Sequence, residues 1–290
     1  MKSYFSKFLL VFCLLLLDSL ASEMFWEING TKGGKVYILG SLEIGERDLF
    51  PLNPEINKAF DRSNYLILQL NKGDDNEAFM HEEMYVKARF EDNDSIRNHI
   101  TPQTYAQVRM WLKEHKLSSS SLDQFQPWVV GLTLESLDMA LWGGEKLLNI
   151  ENYFYKKARR NGKGVYALER ISEAFLRLQG EDDDFQETLL QSFMDRRVSS
   201  EKLYHERFVN YREGNISYLE KVLVEPLAKH PMIKELVYDE QNRVYANKIK
   251  LYMKNKRGRE YFLIIDLEHL LGDDGVLAQL NEAGIAVKAY

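Results

Sequence analysis

Hydrophobic and polar positions sort this chain into strand-like runs at its two ends and helix-like runs between them. Phe25-Trp-Glu-Ile28 and Lys35-Val-Tyr-Ile-Leu39 flank the glycine-rich Asn29-Gly-Thr-Lys-Gly-Gly34 and read as a β-hairpin. Pro54 to Arg62 suits a short helix with proline in its first turn. Tyr65-Leu-Ile-Leu-Gln-Leu70 is nearly all apolar, the mark of a strand covered on both faces. Thr101 is placed as the N-cap of a helix running to about His115, and Ser118 to Ser121 reads as a loop. Trp128 to Leu141 is apolar enough for a buried helix, and Glu151 to Arg160 forms another, stopped at Asn161-Gly162.

Strand character returns at Gly164-Val-Tyr-Ala-Leu168 and ends at Glu169. Helices follow from Phe185 to about Lys254, interrupted at Glu213-Gly-Asn215 and at His230-Pro231. The chain closes with Tyr261 to Ile265 as a buried strand, a helix near Gly275 to Ala283, and Ile285 to Ala289 as a last strand. The order predicts an α/β fold: a central, mainly parallel sheet built from strands at both chain ends, with a long helical insertion.

One apolar run stands outside this pattern. Phe8 to Leu17 follows Lys2 and Lys7 and precedes Asp18 and the small-x-small pair Ser19 and Ala21. That describes a secretory signal peptide cut after Ala21, too short for a spanning helix of about 20 residues. The reading is therefore a signal peptide over 1–21 and a single domain over 22–290, secreted or periplasmic, with no stable membrane span after cleavage. The lone cysteine, Cys13, falls in the removed segment. Its removal leaves no thiol for disulfides, thiolate metal sites or a nucleophile.

Charge narrows the partners. The 38 Lys and Arg and 44 Asp and Glu give a formal net charge of −6, and losing Lys2, Lys7 and Asp18 shifts it by one, to −7. An acidic balance argues against a protein that neutralises nucleic-acid phosphates, so no nucleic-acid partner is expected. The usual catalytic signatures are missing: no His-Glu-x-x-His zinc helix, no Gly-x-Ser-x-Gly elbow, no phosphate-cradling loop. His81-Glu-Glu-Met-Tyr85 begins like the zinc motif, lacks its second histidine and reads as a solvated helix face.

Three strand-end side chains remain. Val36 to Gly45 runs strand, turn, Glu43, glycine, and Phe262 to Gly272 runs strand, turn, His269, glycine; Glu169 ends the central strand. Ligands bind beyond the carboxyl ends of strands in α/β sheets, so residues from the two chain ends are expected to converge there. Two carboxylates and an imidazole make a mixed oxygen and nitrogen site for a divalent cation, Mn, Co or Zn. Read singly, each is ordinary: a glutamate after a strand is commonly a solvated loop charge, and a lone histidine a packed one.

At these positions the chain resembles the TraB/GumN family, which includes the TIKI metalloproteases and is related to the haem-binding ChaN and erythromycin-esterase folds. The resemblance spans the mature chain. It rests on Phe25 to Ile28 with Val36 to Gly45, Phe50-Pro-Leu52, Gln126-Pro-Trp128, Gly162 to Glu169, Tyr211-Arg-Glu-Gly-Asn215, Asp239 to Ala246, and Asp266-Leu-Glu-His269 with Gly272 and Gly275. It implies a secreted, metal-dependent hydrolase acting on peptides or small polar substrates, with Glu43, Glu169 and His269 as catalytic and metal-holding residues. Haem is not expected. The family's first histidine is Glu43 here, its second-strand carboxylate is Gln69, the aspartate before the central helix is Glu151, the helix arginine is Gln241, and two motif glycines are Asp266 and Glu268. Glutamate still offers oxygen to a hard cation, whereas an amide carries no charge and cannot act as a general base. The alternative is a catalytically inactive secreted binding module of the same fold, for haem or another ligand.

Overall fold

The computed structural model describes residues 24–30, 33–70, 82–145, 148–179, 182–254 and 258–290. The expected signal segment with Cys13, and His81 of the partial zinc motif, lie outside the described residues.

Strands β1 (Phe25–Asn29) and β2 (Lys35–Ser41) form the expected antiparallel hairpin, in register from Phe25 opposite Leu39 to Asn29 opposite Lys35. Helix α1 (Pro54–Arg62) leads into β3 (Tyr65–Leu70). The insertion carries α2 (Pro102–Glu114), α3 (Pro127–Leu141) and α4 (Ile150–Arg160), then β4 (Gly164–Glu169). Next come α5 (Ile171–Gln179), α6 (Asp183–Arg196) and α7 (Glu201–Arg212). Short helical turns lead from Ile216–Leu219 to Lys234–Asp239 and into α8 (Glu240–Met253). β5 (Glu260–Asp266), the turn α9 (Leu267–Leu270), α10 (Val276–Glu282) and β6 (Val287–Ala289) complete the chain.

The sheet has six strands in the order β4-β3-β5-β2-β1-β6. β4, β3, β5 and β2 run parallel; β1 pairs antiparallel with β2, and β6, antiparallel to β1, closes that edge. The architecture is the α/β fold expected from the two chain ends. β5 pairs with β2 along its full length, from Lys35 opposite Glu260 to Ser41 opposite Asp266. β3, β5 and β2 lie under helices on both faces and are almost entirely buried, which is why they read as apolar runs.

Two local features follow directly from sequence. The Thr101 hydroxyl accepts from the Thr104 amide, capping α2, and Pro102 fits the first turn, where no amide donor is needed. α5 lies where no element was expected, although Ile171, Phe175 and Leu178 repeat at helical spacing and face the interior. The last strand is shorter than expected, because the chain turns at Gly284, with φ of +75°, and pairs with β1 only from Val287.

Apolar burial falls into two clusters. One packs the sheet against α1, α4, α7 and α8; the other joins α2, α3, α5 and α6 through Trp111, Trp128, Leu134 and Phe193. Among the described residues no helix is long and apolar enough to cross a membrane.

Candidate functional site

β2 and β5 end side by side at Ser41 and Asp266, beneath a cavity of about 280 Å³. Strand register alone brings the two chain ends together. Gly40 permits the close approach: a Cβ there would lie 2.3 Å from a Leu267 methyl and 3.2 Å from Met24 Cβ. Its carbonyl accepts from the Tyr211 hydroxyl at 2.6 Å, anchoring α7 to the strand end. Gly272, with φ of +82°, turns the chain after α9 in a conformation that side chains disfavour.

Around this junction sit the carboxyls of Glu43, Glu135, Asp266 and Glu268, the imidazole of His269, and the guanidinium groups of Arg177, Arg196 and Arg207. The Ser41 hydroxyl donates to Asp266 Oδ1 at 2.7 Å, and the Asp266 amide donates to Gln69 Oε1 at 2.8 Å. Gln69 thus fastens β3 to β5 through its amide oxygen, a role that needs an acceptor and no charge. Burial, then the neighbouring Glu151, holds the Asp266 carboxyl well above its ordinary value; Glu43 and Glu268 add to this, and the Ser41 bond opposes it.

His269 is buried at 8% exposure, flanked by the Tyr238 and Tyr245 rings at 5.3 Å. Its Nδ1 lies 2.7 Å from Asn242 Oδ1, and the Asn242 amide nitrogen donates in turn to the Asp274 carbonyl. An amide oxygen only accepts, so Nδ1 carries the proton and Nε2 keeps the lone pair. Burial lowers the imidazole to about 4, with Arg177 and Arg196 adding to the effect against Glu268, so the ring is neutral at physiological pH. Glu135 moves the other way: burial, then Glu43 and Glu268, raise its carboxyl to about 8, against Arg196 and Arg207.

Glu43 and His269 line the same cavity, as the convergence of strand ends required. Glu169 is not among its lining residues. The Arg177 guanidinium, which does line it, takes both carboxylate oxygens of Glu169, and the Tyr245 hydroxyl donates to Oε2 at 2.9 Å. Among the described residues no three His, Cys, Asp or Glu side chains are gathered as a cage for a metal ion. The donor chemistry nonetheless suits a hard cation: carboxyl oxygens crowded into one cavity, and an imidazole whose tautomer is fixed by its outer hydrogen bond.

Several groups in this cavity lie outside the expected site. Glu135 is one of the two charges of α3, the other being Asp138, which does not line the cavity, and a charge on so apolar a helix is the legible sign of special placement. Arg196 bonds Glu268 at 2.7 Å and lies over the Phe193 and Tyr238 rings, at 5.5 and 5.6 Å. Desolvation, the largest influence on Arg196, opposes its charge, and Tyr238, Glu268, Glu135 and Glu43 together outweigh it, so its pKa is raised. Nothing near Arg196 in sequence announces this partnership, which closes 72 residues later.

The sequence profile of the TraB/PrgY/gumN family matches residues 24–289. The chain belongs to this family. A relative, an uncharacterized protein of Treponema pallidum (strain Nichols), is 25% identical over 173 residues, covering 59% of this chain and 51% of the relative. The chain thus spans about half the length of that curated relative. No solved structure matches. In this TraB/PrgY/gumN member, the matched region contains both strand-end turns and every cavity residue named above.

Proposed function

We propose that this TraB/PrgY/gumN protein is an exported, metal-dependent hydrolase acting on peptides or small polar substrates in the strand-end cavity. One observation carries the reading. Carboxyls outnumber cationic side chains around a buried histidine whose Nε2 lone pair is held available by Asn242. Export is supported by the charged, apolar and small-residue order of residues 2–21.

A divalent cation such as Mn, Co or Zn, held by Glu43 and His269, would lower the pKa of a bound water and polarise a substrate carbonyl. The chain's own groups supply the rest. Glu135 keeps its proton to about pH 8 and so serves as a general acid toward a leaving amine. Arg196 anchors the Glu268 carboxylate in the cavity wall and offsets its charge. Ser41, Gln69 and Asp266 fix the strand ends, and Leu132, Met139 and Phe208 exclude water from one side.

The test is metal content after supplementation with Mn, Co or Zn followed by dialysis, for wild type, Glu43→Gln and His269→Ala. Stoichiometric metal in wild type, lost in the variants, with peptide-library cleavage lost in parallel, is the expected result. Wild type without stoichiometric metal rejects this function. A second reading, an inactive binding module, draws on the pairing of Glu169 with Arg177 and Tyr245, which leaves that carboxylate already satisfied. That reading expects ligand binding with no turnover under any metal.

A further inference from the structure

Helix α7 turns two hydrogen-bonding groups toward the cavity that the proposed chemistry leaves unused. Tyr204 and Arg207 stand three residues apart and both line it, on a face that continues into buried Phe208 and Tyr211. Tyr204 is 2% exposed, and its buried hydroxyl has no hydrogen-bond partner among the described residues. Arg207 Nη2 donates to the Arg196 carbonyl at 3.1 Å. Among the described residues, however, no carboxylate oxygen comes within ion-pairing distance of Arg207, whereas Arg177 and Arg196 are paired with Glu169 and Glu268.

A buried hydroxyl and a partly buried guanidinium are costly unless an acceptor reaches them. The planar guanidinium fork matches a carboxylate, and a buried hydroxyl lining the same cavity is a second donor for an acceptor that enters it. Leu132, Phe193, Val198 and Phe208 give the same cavity an apolar wall. The carboxyls of Glu43 and Glu268 line it as well and disfavour a doubly charged phosphate more than a singly charged carboxylate.

We infer that Arg207 and Tyr204 bind the free C-terminal carboxylate of a peptide whose last side chain is apolar, and that the cavity therefore acts on chain ends. The inference rests on the hydrolase reading and narrows it to a carboxypeptidase. In the reaction, water adds its hydroxyl to the carbonyl carbon before the last residue, the C–N bond breaks, and a proton goes to the amine of the released amino acid.

The experiment separates binding from turnover. The full chain, in excess EDTA, is titrated calorimetrically with N-acetylphenylalanine and with its amide. The acid is expected to bind at least about tenfold tighter, the usual worth of a charge-assisted hydrogen bond. Arg207→Gln should abolish that preference, and Tyr204→Phe, which keeps the ring and removes the hydroxyl, should reduce it several-fold without lowering the thermal unfolding temperature. Equal binding of acid and amide, no binding of either, or an unchanged preference in Tyr204→Phe together with Arg207→Gln overturns the inference. Preference for the acid in a protein that binds no metal would reject the metal-dependent function and leave the carboxylate site standing.

Discussion

Glu135 sits on an apolar helix with its carboxyl facing Glu43 and Glu268 across a cavity, so its proton is part of the fold's stability. Below the ordinary value of 4.5, native and unfolded chains both carry that proton. Between 4.5 and about 8 the unfolded chain ionises first, and the stability contributed at low pH is lost as pH rises through the native value. Glu135→Gln has no such proton to lose. Urea denaturation from about pH 5 to about pH 9 should therefore show the variant gaining on wild type by on the order of a few kcal/mol. Parallel curves would place the Glu135 titration elsewhere. Asn242 makes a second case, since it alone is seen to fix the His269 tautomer through Nδ1. Asn242→Ala should cost about 1–3 kcal/mol for the stranded imidazole N–H. It should also weaken metal binding by roughly 10–100-fold, as lost outer partners of a ligand do. A metal titration matching wild type would remove His269 from the metal site.

Packing of the helical layer depends on one buried carboxylate. Asp138 of α3 accepts from Trp111 Nε1 at 2.8 Å and lies 2.7 Å from His115 Nε2, both from α2 or its end. It also accepts from Arg197, just beyond α6, at 3.0 and 3.1 Å. Asp138→Ala leaves the buried Trp111 indole N–H without its acceptor, while the half-buried Arg197 guanidinium keeps Glu114 at 2.6 Å, and should cost about 1–3 kcal/mol in urea unfolding. Asp94→Ala removes a more exposed partner of His99 and should leave the urea unfolding midpoint close to that of wild type. The elements themselves were legible because each announces its period locally: β2, β3 and β5 as apolar runs, α2 through Thr101 and Pro102, the breaks at Gly214 and Pro231. The convergence of Glu43 and His269 was legible too, since strand order sets it. The cavity's remaining partners were not. Arg177 on Glu169, Arg196 on Glu268 and Asn242 on His269 are pairings fixed by how helices dock, and no local period encodes them.

At the scale of the whole molecule, the cavity lies where the sheet cluster meets the helical cluster. Tyr204, Phe208 and Leu267 line it from the first, Phe193, Val237 and Tyr238 from the second. Arg196 and Glu268 reach across this boundary with a bond of 2.7 Å, their side chains 7% and 28% exposed. A pair so enclosed gains little net stability while intact, but removing one partner strands the other charge, at roughly 3–5 kcal/mol. That cost should fall on the boundary and spare each cluster's interior. In Arg196→Met, native-state hydrogen exchange should quicken in α3, α5 and α6 while amides of β2, β3 and β5 keep the protection set by global unfolding. The helical layer would then open as a unit, and a ligand spanning both clusters would close it again, restoring exchange rates in proportion to its occupancy. Uniform acceleration across sheet and helices would mean that the two clusters unfold together and that the cavity is a void within one cooperative core. Protection lost first in the sheet would reverse the assignment, making the helical layer the more stable half and the strand ends, with Glu43 and His269, the part that moves.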